Sequence, residues 1–159
     1  MIELNELSKF PSLVILITSV SSCLIAQFVK IIINLIRLKK LDLGILVRTG
    51  GMPSSHSAMV TSLASSVGFI EGFNSSVFAL AVCFALIVMY DASGVRRSVG
   101  IQAGILNQMI SELSTENPLF KINRIREFIG HTPFEVVVGA CFGIYMGYQV
   151  CSCFGLIKP

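Results

Sequence analysis

Three uncharged apolar runs dominate the chain: Ser12 to Val29, Gly72 to Tyr90 and Val136 to Ile157. Each is close to the ~20 residues a helix needs to cross a hydrocarbon core, so each is predicted to be a membrane span. A fourth stretch, Ser57 to Ile70, is shorter and carries Thr61, Ser62, Ser65 and Ser66. Small hydroxyl residues let membrane helices approach closely and bond across their interface, which predicts a span facing the rest of a bundle. In the segment 91–133, Ile101, Ile105, Met109 and Leu113 recur every four residues beside Leu106 and Ile110, with Gln102, Asn107, Gln108 and Glu112 on the other side. That spacing predicts an amphipathic helix lying on the membrane surface or against the bundle. Asn117-Pro118 reads as a turn, and Lys121 to Ile129 as a second short basic helix. The expected fold is all-α: one membrane-embedded domain over residues 1–159, an integral membrane helical bundle of about four transmembrane helices plus one or two amphipathic helices.

Composition agrees with lipid as the solvent. Hydrophobic residues make up 53% of the 159 and charged ones only 13%, where soluble domains run at roughly 45–50% and about 25%. This excludes a disordered tail and an ordinary cytosolic domain. A net charge of +3 is too small an excess to point to nucleic acid, and none is expected as a partner; membrane lipids are. The first span is not expected to be a cleaved export signal, which wants a positive start, because Glu3 and Glu6 accompany the single Lys9. Val20-Ser21-Ser22-Cys23 is a faint lipoprotein-like cleavage pattern, but the apolar run continues through Ile25 to Ile33, as a retained anchor requires.

Four spans bring the segments 34–55 and 91–133 to one membrane face. They hold Arg37, Lys39, Lys40, Arg48, Arg96, Arg97, Lys121, Arg124 and Arg126, nine of the twelve basic residues. Lys and Arg in short loops mark the cytoplasmic side, so these loops are expected to be cytoplasmic and both termini to face outward. The five cysteines all lie in apolar runs without the paired spacing of a zinc site, so neither a metal site nor a disulfide framework is expected.

The chain has two histidines, each where a membrane helix is predicted to begin. The first sits in Gly50-Gly51-Met52-Pro53-Ser54-Ser55-His56-Ser57, a tight turn leading into a serine-capped helix. Backbone N–H groups at such a start form a ready anion site; alternatively Ser54 and Ser55 only cap the helix and His56 is merely solvated. The second sits in Gly130-His131-Thr132-Pro133-Phe134-Glu135. Thr132 as cap, Pro133 at the first helical position and Glu135 three beyond the cap make a capping box. Glu135 either serves only that box or holds one ring nitrogen of His131 and leaves the other free. Lys30 and Arg37 are two helical turns apart on one face, about 10.5 Å along the axis. Arg96 and Arg97 follow the third apolar run, preceded by Asp91, which either holds an arginine in place or is simply a polar helix end. Two imidazoles among several cations suit phosphoryl transfer, in which one attacks phosphorus, the other protonates the departing oxygen, and the cations neutralise the phosphoryl oxygens.

These residues resemble the type 2 phosphatidic acid phosphatases, related to bacterial acid phosphatases and vanadium haloperoxidases. Lys30 with Arg37 matches that family's first motif, with Leu38 in place of its proline. Pro53-Ser54-Ser55-His56 matches the second, with Ser55 in place of glycine, and His131 with Glu135 matches the end of the third. The third motif's arginine is displaced: Ile125 stands six before His131, flanked by Arg124 and Arg126, and Arg96 or Arg97 is the substitute. The phrases Gly-Gly-Met-Pro-Ser-Ser-His-Ser-Ala, Asp-Ala-Ser-Gly-Val-Arg-Arg and Gly-His-Thr-Pro-Phe-Glu-Val together resemble a divergent branch of the family.

The resemblance implies a metal-independent membrane phosphatase without a cofactor, acting on a phosphomonoester or diphosphate, small or lipid-linked. It implies that His131 is the nucleophile, His56 the general acid and Glu135 the group orienting His131. Lys30, Arg37, Ser54, Ser55, Arg96 and Arg97 would bind phosphate, with Asp91 in support. Membrane members of the family usually have six spans. Two other functions stay open: a non-catalytic membrane protein that retains an anion-binding pocket, and a vanadate-dependent haloperoxidase, which nothing in the chain favours.

Overall fold

A computed structural model of the protein describes residues 9–39, 51–116, 125 and 130–158. Those residues form five helices and no strand: α1 (Pro11–Leu38), α2 (Ser55–Glu71), α3 (Ser76–Ser93), α4 (Val95–Glu116) and α5 (Pro133–Cys153). The expected all-helical membrane bundle is what forms. The predicted short helix at Lys121–Ile129 lies outside the described residues except for Ile125.

Three stretches are long and apolar enough to cross a membrane: Pro11–Arg37, Ser76–Leu113 and Pro133–Cys153. Their outer faces carry large apolar side chains with no protein cover, such as Leu24 (64% exposed) and Leu80 (71%). On a water-soluble monomer so much exposed apolar surface would be an association hazard; in lipid it is the expected finish. The predicted span at Ser57–Ile70 corresponds to α2, which differs in kind. It has 17 residues, about 25 Å at 1.5 Å per residue, a little short of a ~30 Å hydrocarbon core. Twelve of the 17 are buried, and α2 packs against α1, α3 and α5. It is the bundle's axis, and its serines face protein.

Small residues make that central position possible. Gly139, Gly143 and Gly147 line one side of α5, where added Cβ atoms would run into Ser54, into Thr61 and Ala58, and into Ser65. Close backbone approach of this sort is how membrane helices gain contact area when lipid is as apolar as leucine. Hydroxyls finish the interfaces: Thr61 Oγ1 donates to Ser57 O at 2.7 Å and lies 3.0 Å from Ala140 O, while Ser22 Oγ donates to Ala58 O at 3.2 Å. Against α3 the contact is apolar, with Val60, Ala64 and Val67 meeting Ala81 and Ala85. Gly143→Ala is expected to lower stability by about 1–3 kcal/mol, the usual cost of overpacking. Thermal unfolding in detergent checks this, with Cys141→Ala, on the exposed side of the same helix, as the unaffected control.

α4 keeps the predicted amphipathic spacing but turns it outward. Ile101, Ile105, Met109 and Leu113 are each more than half exposed, whereas Gly100, Ala103 and Asn107 form the buried side. Small residues permit the close seat on the protein, and the larger apolar ones are left for lipid. Asn107 also anchors the connection that follows, its amide donating to Ile125 O and accepting from Ile125 N, both at 2.7 Å.

Candidate functional site

The starts of α2 and α5, the end of α3 and the C-terminal half of α1 meet at one end of the bundle. Two backbone hydrogen bonds fasten them: Ser54 N donates to Glu135 O at 3.2 Å, and His131 N donates to Ala92 O at 3.0 Å. Gly130 adds a third tie. Its φ of +113° suits a residue without a side chain, and a Cβ there would lie 2.5 Å from Arg97 N. The backbone just before His131 therefore lies directly on the Arg96–Arg97 backbone.

His131 is buried at 3% exposure. Its Nδ1 is 3.1 Å from Glu135 Oε2, and the same oxygen accepts Thr132 N at 3.0 Å. Thr132 Oγ1 in turn accepts Glu135 N at 3.3 Å, completing the capping box. The two roles open for Glu135 are thus both filled, by a single carboxylate oxygen. A carboxylate on Nδ1 favours the tautomer protonated there and leaves Nε2 with its lone pair. Burial pushes the His131 pKa below its ordinary 6.5; the hydrogen bond to Glu135 opposes this, while Lys30 and His56 add to the lowering.

Lys30 is buried at 3% exposure, although it lies in a membrane helix, where a charge must be compensated. Its methylene stem runs beneath Gly51, whose added Cβ would sit 3.4 Å from Lys30 Cδ. The acidic group whose charge bears on Lys30 is Glu135. His56, in the first turn of α2, is exposed, and the charges bearing on it are those of Arg96, Lys30 and Asp91. Arg96 Nε donates to Asp91 Oδ2 at 2.7 Å. Asp91 is therefore an arginine's partner, and of the two arginines left open by spacing it is Arg96 that is held. Arg97 is exposed, and so is Arg37, two turns beyond Lys30.

The serines divide the work. Ser54 Oγ caps α2, accepting from Ser57 N at 3.4 Å and Ser57 Oγ at 3.0 Å, so its hydroxyl serves the helix start. Ser55 is buried, 2% exposed, and lies next to Cys23 on α1. Cys23 and Gly130 belong to the neighbourhood, and neither is a candidate on sequence grounds. Cys23 is seven residues before Lys30, hence on its face, which is the one signal that points to it.

His131, Glu135, His56, Lys30, Arg96 and Asp91 thus influence one another at one end of the bundle. An imidazole oriented through Nδ1, with Lys30 and a second imidazole bearing on it and Arg96 bearing on that second ring, can attack an electrophilic phosphorus while the cations neutralise the charge that develops on its oxygens.

Comparison with known proteins gives two matches. Residues 12–146 match a family described as the divergent PAP2 family. The chain is also similar to the uncharacterized membrane protein YuiD of Bacillus subtilis (strain 168), 39% identical over 150 residues, 88% of this chain and 92% of that protein. No solved structure matches.

Proposed function

Since the chain belongs to the divergent PAP2 family, we propose that this integral membrane protein hydrolyses a phosphomonoester or diphosphate through a phosphohistidine on His131. The observation that carries the reading is the 3.1 Å contact between His131 Nδ1 and Glu135 Oε2, which aims a nucleophilic Nε2 away from the carboxylate. Nε2 attacks phosphorus, the bond from phosphorus to the leaving oxygen breaks, and His56 gives that oxygen a proton. Glu135 stabilises the imidazolium character that His131 gains. Water then attacks the phosphohistidine, with His56 taking its proton, and inorganic phosphate leaves. Lys30 and Arg96 neutralise the phosphoryl oxygens and Asp91 fixes the arginine; in this reading Ser55, Arg37 and Arg97 are further contacts of the phosphate.

Purified protein in detergent is expected to release phosphate from a panel of phosphate and diphosphate esters, and release that persists in His131→Ala would reject the nucleophile. An anion pocket without turnover is the second reading, favoured by the sharing of Glu135 Oε2 with the helix cap. It predicts saturable phosphate binding and no release.

The pH profile carries the sign of the His131 shift. Its Nε2 must be unprotonated to attack, so the acidic limb of kcat/KM follows its titration and is expected below the ordinary histidine value of about 6.5. Because Glu135 raises the His131 pKa, Glu135→Gln is expected to move that limb to still lower pH. The rate should fall about 10²-fold, as misplacement of a reacting group does. A limb that stays in place or moves upward would contradict the assignment.

The excess of Lys and Arg in the segments at the site end supports a cytoplasmic orientation for it. A cysteine introduced by Arg97→Cys, in a chain whose own cysteines are replaced, is expected to resist a membrane-impermeant maleimide in intact cells and to react after permeabilisation. Labelling of intact cells would reverse the orientation.

A further inference from the structure

α3 and α5 both lie on α2 but touch each other little, and the space between them is a groove. Toward the site end it is a cavity of about 520 Å³ bordered by Ser93, Tyr90 and Pro133. Farther in, a cavity of about 280 Å³ continues it to Phe69, Phe73 and Phe78. Leu86, Met89 and Ile144 border both, so the two are one passage. The upper end adjoins the site directly: Ser93 follows Ala92, whose carbonyl accepts His131 N, and Pro133 is two residues after His131.

The wall is apolar. Apart from Tyr90 at the upper end, the hydroxyls at the wall are those of Thr61, Ser65 and Ser93, and each is spent on a backbone carbonyl, that of Ser57, Ser62 and Met89 respectively. The lower end is stopped by aromatic rings. Phe73 stacks edge-on with Phe69 at 5.6 Å and with Phe78 at 5.2 Å between centroids. Both Phe73 and Phe78 close over Gly68, where a Cβ would lie within 3.0 Å of either ring. Along α3 the passage runs from Ser93 to Phe78, about 22 Å at 1.5 Å per residue, deeper than the roughly 15 Å of one leaflet's hydrocarbon.

Resting on the phosphatase reading, we propose that the α3–α5 groove holds a single hydrocarbon chain of the substrate, with its phosphate at His131, and that Phe69, Phe73 and Phe78 set the length of that chain. Moving a chain from lipid into an apolar groove gains little from water exclusion, because lipid tails are already as apolar as the wall. Discrimination therefore comes from packing along the groove and from the ring stop. A chain that ends short leaves wall uncovered, and one that runs past the stop must bend back or displace a ring.

Binding in the His131→Ala protein separates this from catalysis. Native mass spectrometry with competing single-chain alkyl phosphates, and in a second arm isoprenoid phosphates of increasing length, is expected to give retention that rises to an optimum and falls beyond it. Ile144→Trp, at a half-exposed position lining both cavities, is expected to reduce retention of the optimal chain about tenfold. Phe78→Ala is expected to move the optimum to longer chains. The arm with the sharper optimum identifies the chemistry of the chain. Length-independent retention in both arms overturns the proposal, as does a change of oligomeric state in both variants with the length profile intact, since the groove would then be an interface between copies. Hydrolysis of short soluble esters by the wild type with no length optimum overturns the groove alone. A length optimum without hydrolysis of any ester overturns the phosphatase reading and keeps the groove as a lipid site.

Discussion

His131→Ala is expected to reduce phosphate release by about 10⁴–10⁶-fold, the scale on which removal of a covalent nucleophile acts. The effect should fall on kcat, because Lys30 and Arg96 remain to bind the phosphate and KM depends on them more than on the imidazole. Stability should change little. His131 is held by its backbone N–H on Ala92 O, which alanine keeps, and Glu135 Oε2 retains Thr132 N as a donor. Alanine leaves a small cavity facing the site, and no buried charge loses its last partner. A variant that unfolds would indicate that the ring is structural; a folded variant without turnover, still binding phosphate, is the expected result. Steady-state kinetics with phosphate-binding isotherms on the same preparation distinguish the two.

His56→Ala is expected to cost about 10²–10⁴-fold, the usual worth of general acid–base catalysis, and the loss should depend on the substrate. An alkyl phosphate departs as a strongly basic alkoxide and needs a proton in the transition state. A nitrophenyl phosphate departs as a stabilised phenolate and needs far less help. The variant should therefore lose much more activity on alkyl than on nitrophenyl esters, and its alkaline limb should flatten for the latter. An equal loss on both would assign His56 to phosphate binding instead. Its exposed position in the first turn of α2 is consistent with a group that meets the leaving oxygen from the solvent side.

Much of this arrangement is legible in the amino-acid order because its determinants are local. The capping box at Thr132–Glu135 needs only a cap residue and a partner three positions on, and it forms as read. The uncharged runs fix three helices by length. What spacing leaves open is settled by tertiary contact. Glu135 fills both of its roles because His131 lies close enough to share Oε2 with Thr132 N, a distance no one-dimensional pattern contains. Arg96 differs from Arg97 only in which side chain reaches back to Asp91. The outward turn of α4 has a similar origin. Its amphipathic spacing identifies two faces, but in lipid the apolar face is free to point away from protein, and the small residues Gly100 and Ala103 take the packed side. Gly139, Gly143 and Gly147 recur every four residues, the spacing of a packed membrane-helix face, but that this face meets α2 is set by the fold.

The most direct measurement is a covalent one. Protein mixed with a phosphorylated substrate, quenched in alkali within the first turnovers and digested for mass spectrometry, is expected to carry an acid-labile, alkali-stable phosphoryl group on His131. The label should accumulate further in His56→Ala, where hydrolysis of the intermediate loses its base. Phosphate release with no label on His131 in either protein, or a label on another residue, would contradict the account.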